Sequence, residues 1–408
     1  MAQQVPQGYF THNVDPIGYH DLNGKPAFKL AMQEVNRRWY LYVAHLWHRG
    51  WSVLDVTEPD EPRYCTFVPG PENTWTIQVQ VADGKMITGL ERIASGWGGT
   101  EGKPGAEGFF IFDVAAPEEP KQIGHWQTGS TGTHRNFYDG GKLVHAAAGA
   151  PGFSGKIYRI VDIADPGQPR EVGRFSLPEQ SAGAETRGFK FSFHGPAHIE
   201  GDRAYLSYGD GGGIILDVGE ISQPRVISQL SFRGITATQG IHTYLPLPRR
   251  KIALINDEAI RENGDENLNL AGIVDISDEK KPRMISLFPL PEPPAESELK
   301  NFYEKAGRFG PHNHHHPNHQ PCLEDRDDIA YLTYFNAGLR IYDIRDARQP
   351  KEIGYFIPAD PTVRIGTKPS RLVAQSEDVL VDRRGFIYLS DKNHGIHVLR
   401  LKKVWAYE

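Results

Sequence analysis

Short stretches of alternating apolar and polar residues recur along the chain, and many end in the same way, with an apolar-Asp-apolar triplet followed by a turn and a proline. The copies are Leu54-Asp55-Val56, Phe112-Asp113-Val114, Val161-Asp162-Ile163, Leu216-Asp217-Val218, Val274-Asp275-Ile276 and Tyr342-Asp343-Ile344. In each, a proline stands seven residues after the Asp (Pro62, Pro120, Pro169, Pro224, Pro282, Pro350), and the residue behind it is basic. The pattern predicts a strand, a turn in which the Asp side chain bonds backbone, and an outer strand entered at the proline. The aspartates are read as turn formers, not as catalytic carboxylates.

Successive Asp residues lie 49 to 68 residues apart, mostly beyond the roughly 40 to 50 residues of familiar propeller blades, so the excess is assigned to loops. A seventh copy, His397-Val398-Leu399-Arg400-Leu401, carries Arg400 in the Asp place and ends the chain before any outer strand. Ile17-Gly18-Tyr19 after Pro16 matches Ile353-Gly354-Tyr355 after Pro350 and supplies the missing strand. The expectation is an all-β, seven-bladed β-propeller, one domain over residues 1–408, closed by pairing of the N-terminal strand (within residues 1–20) with the last blade. At these motifs the chain resembles the LVIVD-repeat propeller family, and the resemblance spans nearly all of it. It implies architecture and almost nothing about chemistry.

Composition agrees with frequent turning, since 408 residues include 43 Gly and 30 Pro. The net charge of -6 shows no basic excess, so neither nucleic acid nor an anionic membrane is an expected partner; a small-molecule substrate is, with a homo-oligomer left open. Cys65 and Cys322 are too few for a disulfide framework. With no basic-then-apolar leader and no long apolar run, the expected location is cytoplasmic.

Seventeen histidines are many for one chain, and four fall in register. His134, His194, His242 and His312 open the innermost strands of blades three to six, three of them in a Gly-x-His sequence. The corresponding places in blades one, two and seven are expected near Ala27, Trp75 and Lys368. Innermost strands converge on the axis, where neutral imidazoles could ligate a transition metal, iron first, with zinc, manganese or copper as alternatives. His314, in the run His312-Asn313-His314-His315-His316, is the next candidate ligand, and an extended segment would put 312, 314 and 316 on one face. His198 would face the His194 side and is expected to line the pocket or to replace a ligand. Glu91, Asp257 and Glu258 follow second strands and could orient a ligand or act as a base, Glu91, Glu258 and His198 being the catalytic candidates. Arg135 and Lys368 could meet a substrate anion, and His45, His48 and His145 could line the funnel.

In general organisation the cluster resembles the carotenoid cleavage oxygenases and the selenium-binding methanethiol oxidases, whose propellers hold a metal with histidines. That resemblance is architectural and implies an oxidoreductase. Metal-assisted hydrolysis or lysis is the competing chemistry, and a protein-binding scaffold the reading from another class. The insertions from Ser95 to Lys103, Ala259 to Asn267 and Pro291 to Arg308 are expected to carry specificity.

Overall fold

The computed structural model describes residues 3–93, 96–267 and 269–403. Seven four-stranded antiparallel sheets form the blades of a seven-bladed β-propeller. Blade three is representative: Thr133–Phe137 is innermost, followed outward by Leu143–Gly149, Lys156–Asp162 and Arg170–Phe175. The inner strands of the other blades are Leu30–Val35, Val79–Ala82, His198–Glu200, Ile241–Leu247 and Ser376–Val381. In blade six the inner position is held by residues 312–315, which bond to 331–333 through His312 N–H to Thr333 O (2.9 Å) and His315 N–H to Tyr331 O (3.1 Å). The excess length of that blade therefore follows His315, where the sequence had placed it at 313–319.

The Asp motif performs one job six times. Each Asp ends a third strand and accepts the backbone N–H two residues on at 2.9–3.0 Å. Across the outer strand pair it stands opposite the basic residue behind the proline, as in Asp55 and Arg63, Asp162 and Arg170, or Asp275 and Arg283. In blade seven the register survives with the signs exchanged, because Arg400 faces Asp15.

The ring closes through the N-terminus. Val14–His20 pairs with Ile396–Leu401, with Tyr19 opposite His397. The closing segment is shorter than the expected residues 1–20: Phe10–His12 pairs with Lys351–Ile357 at the outer edge of blade six, and Met1 and Ala2 lie outside the described residues. Between blades the core is apolar, as where Ile87, Phe109 and Ile111 of blade two meet Tyr138, Val144 and Val161 of blade three. Each such side chain gains roughly 1.5–3 kcal/mol by leaving water, which locks neighbouring blades together. Among the described residues no helix is long and apolar enough to cross a membrane, and Cys65 and Cys322 are unbridged.

The three insertions gather over one mouth of the axis. Asn263 N–H bonds Gly307 O at 2.9 Å, Ser370 N–H bonds Glu262, and the Trp97 ring lies 5.3 Å from Lys392 Nζ. Ser95, the start of the first insertion, lies outside the described residues.

Candidate functional site

One backbone device arranges the site. Near the start of the inner strand, two residues stand opposite a single residue of the second strand, which is the count of a β-bulge. Residues 134 and 135 do so in blade three, 242 and 243 in blade five, 377 and 378 in blade seven. In blade six Thr333 lies between His312, which donates to its oxygen, and Asn313, which accepts from its N–H. In blade one Ala44 lies in the same way between Phe28 and Lys29. A bulge turns consecutive side chains toward one side, so each of these five blades offers two residues to the axis instead of one. The glycines of the Gly-x-His sequences make room for this. Gly132 (φ 96°) and Gly240 (φ 72°) pass so close to the preceding blade that a Cβ would lie 2.0 Å from Leu90 O or 2.3 Å from Gly209 C.

The first members make an upper layer of His134, His194, His242, His312 and Glu377, with Phe28 beside His312 (ring centroids 6.1 Å apart). Successive imidazole centroids are 4.4, 4.4 and 4.8 Å apart. Glu258 reaches into the cluster: its carboxylate oxygens lie 3.6 Å from His194 Nε2, 3.7 Å from His242 Nε2 and 3.6 Å from His312 Nε2. His134 Nε2 is 3.1 Å from His194 Nε2. The second members make a polar floor. Arg135 donates to Gly195 O and Asn313 Oδ1, both at 2.6 Å, while Lys29 pairs with Asp378 at 2.9 Å.

The opposite ring nitrogens are anchored. His134 Nδ1 bonds Glu91 (2.5 Å), His242 Nδ1 bonds the Thr243 hydroxyl (2.9 Å), and His312 Nδ1 bonds Glu377 O (2.7 Å). With the proton on Nδ1, Nε2 of His134 and of His312 keeps its lone pair for the centre, as ligand histidines require, whereas His242 Nε2 also faces Arg135 Nη1 at 3.1 Å. His194 Nδ1 meets the Gln239 side-chain amide at 2.7 Å, which offers oxygen or N–H by turning over.

Burial pushes the pKa of all four imidazoles down, strongly for His194, His242 and His312, and the Arg135 charge adds to this. The rings are therefore neutral near pH 7. Burial also opposes ionisation of Glu91, but Lys156 Nζ at 2.6 Å and the His134 ring outweigh it and hold that carboxyl well below its usual range. Glu258 is pushed upward by burial and by the Glu377 charge, against the pull of Arg308 at 2.9 Å. Asp257, raised to about 7 by burial, faces away and caps backbone N–H groups of Ala237 and Leu270.

Of the residues expected at the site, His134, His194, His242, His312, Glu91 and Glu258 come together, and His314 and His198 do not. The bulge at 312–313 advances the alternation by one residue, so Asn313 takes the axial place and His314 turns between blades, 6.2 Å from the Phe288 ring. His198 lies beyond the Arg135 floor, 4.7 Å from His316 and 6.3 Å from Phe137 (ring centroids). His45 is held between Pro26 O and Ser52, and His145 by the Tyr158 hydroxyl, so both are framework. Lys368 sits at the rim, 3.5 Å from Glu262. The axial positions anticipated near Ala27 and Lys368 are Phe28 and Glu377, and blade two offers Gln78, whose carbonyl accepts Gly89 N–H, where Trp75 had been expected.

Three residues of the site were not anticipated. Glu377 lies ten residues before Ile387, the same count that leads from Val144 back to His134, so the signal was present in the sequence. Arg308 bridges Glu258 (2.9 Å) and Glu377 (3.3 Å), and Lys392 contacts Glu377. Lys392 takes in blade seven the place that Glu258 takes in blade five, each following the second-strand residue paired just before the axial one, whereas Arg308 comes from an insertion.

No protein-family model matches the chain, and no curated protein sequence matches it. Solved structures do. The β-propeller domain of Cps50 (Swd1) from Myceliophteria thermophila matches with a TM-score of 0.54 at 11% identity, covering 92% of this chain and 96% of that one. The computationally designed Ika8 protein matches with a TM-score of 0.50 at 9% identity, covering 94% and 98%. At such identities the likeness concerns the fold alone: the chain is an all-β, seven-bladed β-propeller.

Proposed function

We propose that this propeller is a metal-dependent enzyme whose ion is held on the axis by His134, His194, His242 and His312 and which oxidises a small organic substrate. The observation that carries the reading is the convergence of neutral imidazole Nε2 atoms on Glu258, with three of the four rings anchored through Nδ1. Bonds of 2.0–2.1 Å to a tetrahedral ion put ligand atoms roughly 3.3 Å apart, close to the 3.1 Å between His134 and His194 and the 3.6–3.7 Å from His rings to Glu258. His194, His242 and Glu258 have ligand atoms all within 4.8 Å of one another. An all-nitrogen set with a carboxylate alongside suits iron first and zinc, manganese or copper next. Bound there, iron would supply oxygen-dependent redox chemistry.

The chain's own residues have definite tasks in this scheme. Glu91, pinned by Lys156, fixes the tautomer of His134; Thr243 and the Glu377 carbonyl do the same for His242 and His312. Arg308 aims the Glu258 carboxylate into the cluster, and the Arg135 floor separates it from the interior below. A hydrolytic or lyase reading is favoured by one feature, the upward-shifted Glu258 carboxylate, which stands where a general base would take a proton from an ion-bound water.

Elemental analysis of protein purified without a His-tag, beside a His194→Ala/His242→Ala variant, tests the proposal. Near-stoichiometric iron or copper that the variant loses supports oxidation, and zinc or manganese would move the reading to hydrolysis or lysis. No retained metal, even after reconstitution, overturns it and leaves a propeller scaffold.

A further inference from the structure

Above the histidine layer a cavity of about 450 Å³ opens between the insertions, with Trp97 on its wall and Arg308 and Lys392 among its lining residues. These two cations are nearly inaccessible to water, at 5% and 1% exposure. They are also one carboxylate away from the rings, since Glu258 and Glu377 lie between them and His312. The cavity and the cluster are thus parts of one site.

The charges of this site are paired unevenly. Glu91 is matched by Lys156, Glu258 by Arg308, Glu377 by Lys392 and Asp378 by Lys29, so Arg135 in the floor, hydrogen-bonded to Gly195 O, Asn313 and His242, feels carboxylate charge only from Asp378 and Glu258, which are already paired. A divalent ion among neutral imidazoles would add two further positive charges to a region already in excess by one. In a medium of low effective dielectric such an excess is costly without an anion nearby. Lys392 shows where one would go. An ammonium has three donors, and among the described residues Glu377 is the acceptor its Nζ contacts, so donors remain for the cavity. The Trp97 ring, 5.3 Å from Lys392 Nζ and 5.9 Å from the Arg308 guanidinium, covers the same space with an apolar face.

We infer that the substrate of this site is a small organic carboxylate, received by Lys392 with Arg308 beside it, its apolar body against Trp97. The inference deepens the metalloenzyme reading and rests on it for the identity of the site. Arg135, which the sequence offered as an anion receiver, is sealed beneath the rings.

The test uses full-length protein, metal-depleted and metal-loaded, titrated by calorimetry and tryptophan fluorescence with a panel of linear and aromatic monocarboxylates, benzoate among them, each beside its neutral amide. At least one carboxylate is expected to bind tenfold or more tightly than its amide. Lys392→Met should abolish that preference, and Lys392→Arg should retain most of it. Should Lys392→Met fail to fold, Trp97→Leu provides the second variant, with weaker binding of aromatic members and loss of their quenching. No preference for any carboxylate over its amide, or a preference untouched by Lys392→Met and Trp97→Leu, overturns the inference. Metal content of the same samples separates the two readings. Stoichiometric metal without anion preference sinks only this inference, and anion preference in protein that takes no metal sinks only the metal reading.

Discussion

Glu91 and Glu258 show how the same residue type acquires different tasks from its neighbours. Glu91 is held ionised between Lys156 and His134 and touches the cluster only through the far nitrogen of one ring. It is a positioning residue, whereas Glu258 reaches three Nε2 atoms directly. Glu91→Gln should therefore weaken metal binding by about 10- to 100-fold, the usual effect of losing an outer partner of a ligand histidine, while the fold persists. Competition against a chelator of known affinity measures this; an unchanged affinity would remove Glu91 from the site. The residues visible in advance were those repeated at fixed spacing. Arg308 was invisible because an insertion delivers it along a path that no periodicity records, while Glu377 and Lys392 hold repeat places of the axial histidines and of Glu258 but carry different residue types there.

At the scale of elements, the Asp-Pro motif and the bulge divide the labour between the two ends of each blade. The Asp turn fixes the end of the third strand by one side-chain bond to backbone, joined at Asp55, Asp162 and Asp275 by an ion pair to the basic residue behind the proline, so its loss should cost stability without touching the cluster. Asp217→Ala, which removes the bond to Gly219 N–H (3.0 Å), is expected to lower unfolding free energy by about 0.5–1.5 kcal/mol in urea denaturation and to leave metal content unaltered. A change in metal content would mean that the two ends are coupled. The bulge was not legible in the sequence. It inserts one residue into the alternation, and alternation is what assigned His314 to the axis; a two-residue period cannot reveal where it is broken.

For the whole molecule, the many buried neutral histidines set the acid limit of the fold. Burial holds His45 at about 3, His145 and His315 at about 4 and His316 at about 3, against an ordinary value of 6.5. In the unfolded chain these rings take up protons below pH 6.5, and in the folded one they do not. Their contribution to stability is complete above pH 6.5 and is lost as pH falls toward the folded values of about 3 to 4, each ring costing about 1.4 kcal/mol per pH unit in that window. Urea midpoints should fall steeply between pH 6.5 and 4.5 and be flat above 7; a flat profile throughout would show that these rings are protonated in the fold. Seven blades and their closure by Val14–His20 were legible because strand, turn and outer strand are specified by local chemistry, repeated often enough to be counted. The four axial histidines were legible because the same repeat carries them. What only the tertiary structure decided is how further groups meet them: Glu377 joining from the last blade, Arg308 aiming the anticipated Glu258 into the cluster, Lys392 and Trp97 standing over the mouth. Those contacts join residues far apart in the chain, and they are set by interblade packing and by bulges that no sequence period encodes.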